Sequence, residues 1–154
     1  MDKTLVMKFL DGKKVSYEPT FFPDDMRDAE LIATHLGVSP AALYKTLVVV
    51  RKTGKPMLVM IAAEQQLDLK KLAKSVGEKK LKMATHDEAE ALTGLQVGGI
   101  AALALINKGF DIYLDERAKP LKQIYVSAGE RGADVYLATK DLIKLTRARW
   151  VEAS

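Results

Sequence analysis

Two short apolar runs, Leu47-Val48-Val49-Val50 and Met57-Leu58-Val59-Met60-Ile61, flank the turn Thr53-Gly54-Lys55-Pro56. Each run is too short for a helix, and the first is rich in β-branched residues. The pattern predicts a hairpin of two buried strands. A strand pair without a polar alternate face cannot stand at the surface. Other elements must cover it, and the rest of the chain has to supply them.

Those elements are marked by their ends. Lys3 to Asp11 has helical spacing and stops at Gly12. Asp24 or Asp25 can cap a helix carrying Leu31, Ile32 and Leu36, with Gly37 as its stop. Ser39-Pro40 predicts about one helical turn. Asp68 caps a helix through Ser75 that ends at Gly77. Thr85 and Glu88 form a capping box for a helix running to Thr93 and Gly94. Thr139 is expected to cap a last helix with Leu142, Ile143 and Leu145 inward. Short strands are predicted at Val15–Tyr17, at the end of Lys82-Met83, at Phe110–Leu114, Ile124–Val126 and Val135–Leu137. The apolar run Ile100 to Ile106 reads as another strand, joined to Phe110–Leu114 by the turn Asn107-Lys108-Gly109. Helices and paired strands alternate irregularly, without repeat or linker. The expected class is α+β: a mixed, partly barrel-like sheet with helices around it, one domain over residues 1–154.

What the chain lacks narrows its chemistry. It has no Cys and two His, His35 and His86, so thiol catalysis, disulfides and thiolate metal sites are out. No G-x-S-x-G, H-E-x-x-H, P-loop or Rossmann glycine motif occurs. No metal or cofactor is expected. No segment reaches the roughly 18 uninterrupted apolar residues of a membrane span, and the N-terminus has no signal-peptide core. A cytoplasmic, membrane-free protein is expected.

The net charge is +4, and the basic residues cluster: Lys70, Lys71 and Lys74; Lys79, Lys80 and Lys82; Lys140, Lys144, Arg147 and Arg149. Each cluster is either a solvated face or a surface that attracts phosphates. Three further features are ambiguous alone. Lys45 stands at the entrance to a buried strand, where a lysine ordinarily snorkels to water. Gly98-Gly99 precedes the apolar run, either as a bend or for close backbone approach. The loop Ser127-Ala128-Gly129-Glu130-Arg131-Gly132-Ala133 delivers Asp134 to a strand start.

Taken in order, Tyr44-Lys45-Thr46-Leu47, Gln66 to Ala73, Thr93-Gly94 with Val97-Gly98-Gly99-Ile100, and Ile124 to Asp134 resemble the YbaK-like aminoacyl-tRNA deacylases. These are related to the editing domain of bacterial prolyl-tRNA synthetases, and the resemblance spans about Phe9 to Trp150. It implies hydrolysis of the ester of a mischarged tRNA, such as Cys- or Ala-tRNA(Pro), with attack by water or by the substrate's own hydroxyl. It implies catalytic roles for Lys45, Gly98 and Gly99, and substrate contacts for Phe22, Ile100, Ala101 and Asp134. Lys70, Lys71, Lys74, Lys79 and Lys80 become candidates for tRNA phosphates. The implied partners are the tRNA acceptor end and a prolyl-tRNA synthetase. The family commonly reads Gly-Gly-Ile-Ser-Pro where this chain has Gly98-Gly99-Ile100-Ala101-Ala102. That departure keeps an alternative open: a module of reduced activity that binds aminoacyl-tRNA, a nucleotide or a synthetase.

Overall fold

The computed structural model describes residues 2–154. Its centre is the expected hairpin, β2 (Tyr44–Arg51) and β3 (Met57–Ala62), paired antiparallel with Val48 opposite Leu58. Every residue of β3 is buried. Alternation along it feeds two cores. Leu58, Met60 and Ala62 join one cluster; Met57, Val59 and Ile61 join the other.

β4 (Leu81–Met83) adds to the far side of β2, and β5 (Asp111–Asp115) pairs parallel to β3. β8 (Arg149–Val151), which no sequence pattern announced, pairs parallel to β5. The five-stranded order is β4-β2-β3-β5-β8. Helix α3 (Leu69–Val76) covers one face through Leu72 and Ala73. The other face meets α1 (Leu5–Gly12), α5 (Thr139–Thr146) and a second sheet. That sheet has the order β1-β7-β6, from β1 (Tyr17–Phe21), β7 (Ala133–Ala138) and β6 (Gln123–Ser127). The class is α+β. The sheets stay open instead of closing into a barrel, and an isolated backbone bridge between Leu43 and Tyr125 links them. There the Tyr125 N–H donates to Ala42 O at 2.9 Å. Helix α2 (Ala29–Leu36) packs over this junction through Ile32 and Ala33, onto Phe22, Leu43 and Ala63.

The punctuated helices form where their ends predicted. Asp68 caps α3, and α4 (His86–Thr93) carries the reciprocal Thr85–Glu88 box. Ser39 makes a turn, accepting the Ala41 N–H on Oγ. Four expectations are corrected. The cap of α2 is Asp28, which takes the N–H groups of Glu30 and Leu31; Asp24 and Asp25 precede it. β1 starts at Tyr17 and runs on to Phe21. Thr139 is the first residue of α5, and its hydroxyl donates to Leu121 O. The run Ile100–Ile106 is a buried loop with a single 3-10 turn at Ala102–Ala104. Its uninterrupted apolar character marks burial, and burial alone does not choose between strand and turn. The Ala residues fit it beneath α1 and α5.

Candidate active site at the junction of the two sheets

β2 begins at the sheet junction, and Lys45 is its second residue. The Lys45 Nζ donates to Ala63 O at 3.3 Å. The Ala63 N–H in turn donates to Leu43 O at 2.8 Å. This holds the lysine on the wall of a cavity of about 190 Å³. The walls include Lys45 and Thr46 from β2, Gly98 and Ile100, Arg27 ahead of α2, and Ser127 with Asp134. Ser127 and Asp134 face each other across the β6–β7 ladder. Strand pairing therefore aims both into the same space.

The two glycines do different jobs. Gly98 has φ +94°, in the region that favours glycine. Gly99 has an ordinary φ, but a Cβ there would lie 2.9 Å from the Glu130 carbonyl carbon and 3.0 Å from Arg131 N. Close packing on the β6–β7 loop accounts for Gly99. Its own N–H donates to Gln96 O at 2.8 Å. Around the pair, the Val97 N–H donates to Glu90 Oε2 and the Arg131 Nε–H donates to Val97 O, both at 2.8 Å. The segment is clamped from both sides before any ligand arrives.

Asp134 is the chemical peculiarity of the site. It is 6% exposed, and burial pushes its carboxyl up to about 7. No ion pair within 4.0 Å joins it to Lys45 among the described residues. Thr46 Oγ1, from a residue of the cavity wall, is buried without a partner, and so is Tyr44 Oη, whose charged neighbours are Asp115, Arg117 and Glu64 outside the cavity. Burial, with Asp115 adding to it, pushes the Tyr44 phenol up to about 12. Thr46 thus gives the cavity wall hydrogen-bonding capacity that the protein leaves unused. Unused buried capacity is costly unless a ligand meets it.

Lys45, Gly98, Ile100 and Asp134 meet in this cavity. Gly99 lines an adjoining, more polar depression of about 490 Å³ with Asp24, Asp25, Arg27, Glu130 and Arg131. Phe22 and Ala101 line neither. Phe22 is buried in the layer behind, against Ile32 and Leu43, and Ala101 is buried in the main core. The five lysines proposed for phosphate contact are also elsewhere. Lys70, Lys71 and Lys74 lie on α3, and Lys79 and Lys80 precede β4. Lys71 Nζ donates to Ser154 O. Arg27, Thr46 and Ser127 were not singled out from sequence. Thr46 and Ser127 sit inside the quoted motifs; Arg27 carries no local signal. Among the described residues, no group of three or more His, Asp or Glu could hold a metal ion.

An α+β fold with a lysine and a buried carboxylate meeting at a clamped glycine segment defines a class, and comparison identifies it. The sequence model of the aminoacyl-tRNA editing domain matches residues 23–145, and the chain belongs to that family. It is 38% identical over 152 residues to an Enterococcus faecalis protein named "Putative Cys-tRNA(Pro)/Cys-tRNA(Cys) deacylase EbsC", covering 97% of this chain and 92% of that one. A proline–tRNA ligase of Thermodesulfovibrio yellowstonii is 32% identical over 89 residues, 58% of this chain and 15% of the ligase. Among solved structures, "a putative trans-editing enzyme for prolyl tRNA synthetase" superposes with TM-score 0.78 at 28% identity, over 90% of this chain and 86% of that one. The hypothetical protein APE2540 has the same fold, with TM-score 0.86 at 23% identity over 96% and 97%.

Proposed function

We propose that this chain hydrolyses the ester of a mischarged aminoacyl-tRNA in trans, and that the Lys45–Asp134 cavity receives the aminoacyl group. The observation that carries the reading is the convergence of Lys45, Gly98 and Asp134 on one small cavity. Hydrolysis joins a water oxygen to the ester carbon, breaks the bond to the ribose oxygen and returns a proton to that oxygen. No protein nucleophile is needed, which suits a chain without Cys or a serine triad. The protein's contribution is position and charge. The Lys45 ammonium stabilises the negative charge that grows on the ester carbonyl, or holds the terminal phosphate. Asp134 receives the substrate's α-ammonium, which favours the ionised carboxylate and offsets the cost of its burial. The acceptor end of the tRNA would enter at the cavity mouth. A prolyl-tRNA synthetase is the proposed partner. No helix among the described residues is long and apolar enough to cross a membrane, and the proposed compartment is the cytoplasm.

The test is a deacylation time course on mischarged tRNAs, with Cys-tRNA(Pro), Cys-tRNA(Cys), Ala-tRNA(Pro) and Ser-tRNA(Pro) in the panel. Losing a group that stabilises transition-state charge costs roughly 100-fold or more in rate. Lys45→Ala is therefore expected to slow the wild-type reaction by about that much, with an unchanged unfolding midpoint. A Lys45→Ala variant at full rate would refute the site. Commitment of the Gly99 N–H to Gln96 favours a second reading, a binding module. Tight binding of acylated tRNA with no turnover across the panel is its signature.

A further inference from the structure

At the other end of the β6–β7 ladder lies a pocket that the catalytic proposal does not use. From the Ser127–Asp134 pair to the Gln123–Ala138 pair is four residue steps, about 13 Å at the usual rise. The pocket has a volume of about 440 Å³ and is lined by Lys119, Lys122 and Lys140, with Leu121, Ile143 and Trp150 as its main apolar surfaces. Trp150 is 37% exposed on the edge strand β8. Lys119 Nζ stands over its ring, 5.6 Å from the centroid. The floor is rigid: the Thr139 N–H donates to Lys122 O and the Thr139 hydroxyl to Leu121 O, both at 2.8 Å. No carboxylate lines it. Glu116 and Asp141, the acids nearest in sequence to these lysines, line other depressions.

Three lysines with no ion pair within 4.0 Å among the described residues, around a part-exposed indole and an apolar floor, match one ligand chemistry well. A planar base stacks on the aromatic face, and the flanking phosphates meet the ammonium groups. We propose that this pocket is a second RNA contact, which stacks one unpaired nucleotide of the tRNA on Trp150 and holds its phosphates with Lys119, Lys122 and Lys140. The proposal rests on the reading of the substrate as a tRNA. It adds, beside the candidate lysines of α3 and Lys79 and Lys80 ahead of β4, a phosphate contact with a built aromatic surface.

Trp150 is the only tryptophan of the chain, so its emission reports this pocket in the unmodified protein. Titration with unacylated tRNA, and with a single-stranded oligoribonucleotide, is expected to quench it saturably. Three phosphate contacts predict a loss of affinity of about 20-fold between roughly 50 and 200 mM salt. A labelled oligoribonucleotide followed by anisotropy is expected to bind Trp150→Ala about tenfold more weakly and Trp150→Phe nearly as well as wild type. The exposed pair Lys122→Glu with Lys140→Glu should flatten the salt dependence without changing the fold. Unchanged emission at saturating tRNA overturns the proposal. So does polyglutamate that quenches as strongly and displaces the RNA, because the pocket is then a site for an acidic protein segment. Both readouts are independent of ester cleavage. A protein that quenches but cleaves no ester keeps this contact and loses the proposed reaction; one that cleaves without quenching does the reverse.

Discussion

Asp134→Asn tests the electrostatics of the cavity without any substrate. The carboxyl of Asp134 titrates near 7 in the folded chain because burial disfavours its charged form, against a reference of 3.8. Between those two values the folded protein holds a proton that the unfolded chain has released. Stability therefore falls as pH rises from about 4 to about 7 and is flat above that. The gap between about 7 and 3.8 corresponds to on the order of 4 kcal/mol at pH 8. At 6% exposure, solvent screening removes little of it. Asparagine keeps the shape and cannot ionise, so this cost disappears. Urea unfolding of both proteins at matched ionic strength is the assay. At pH 4 the variant is expected within about 1 kcal/mol of wild type. At pH 8 it is expected to be more stable by up to about 4 kcal/mol, with an unchanged m-value. The background of other carboxylates cancels in the difference. A wild-type-minus-variant difference that does not change with pH would show that the carboxylate is not desolvated, and the reasoning would fail. For the reaction the same substitution removes the acceptor of the substrate ammonium, so a more stable variant should turn over more slowly.

Gly99→Ala drives a methyl into backbone atoms of Glu130 and Arg131, which cannot swing aside as a side chain would. Overpacking of this kind costs about 1–3 kcal/mol; an unfolding free energy within 0.5 kcal/mol of wild type would remove packing as the reason for the glycine. Thr46→Val deletes a buried hydroxyl that has no partner in the protein. Stability should hold or rise by up to about 1 kcal/mol, while kcat/KM for the ester falls about fivefold if substrate supplies the missing partner; unchanged kcat/KM would sink that role.

The elements that were legible in the sequence are those whose ends are decided locally. Asp68 with Gly77, and Thr85 with Glu88 and Gly94, close their helices through contacts a few residues apart. The hairpin at Thr53–Pro56 is equally local. β8 was invisible because a three-residue strand gains its identity only from a parallel partner, β5, far away in sequence. Residues 100–106 were misread for a related reason. Apolar residues announce burial, and the shape of the space beneath α1 and α5 decides the backbone. The candidate site divides the same way. Lys45, Gly98 and Asp134 could be marked by motif, but their meeting depends on how two sheets abut. Phe22 and Ala101, expected as substrate contacts, are buried one layer behind the cavity wall, a distinction that neighbouring residues do not encode.

That backing layer still governs the site. The β6–β7 loop is wedged between two segments. On one side Gly99 fits under Glu130 and Arg131. On the other, a Cβ on Gly132 would lie 2.8 Å from Phe22 O, and the Phe22 N–H donates to Gly132 O at 3.0 Å. Asp134 begins two residues beyond Gly132, so its carboxylate is positioned by a loop gripped at both of these close approaches. Lys45 belongs to the other sheet and is fixed by Ala63. The distance between cation and carboxylate is therefore a property of the sheet junction, in which Phe22 and Gly99 act as positioning residues. Close-packed interiors transmit such displacements instead of absorbing them. A substitution that loosens either wedge should lower kcat as well as raise KM, because misplacing the two charges costs more in the transition state, where charge on the ester has grown, than in the ground state.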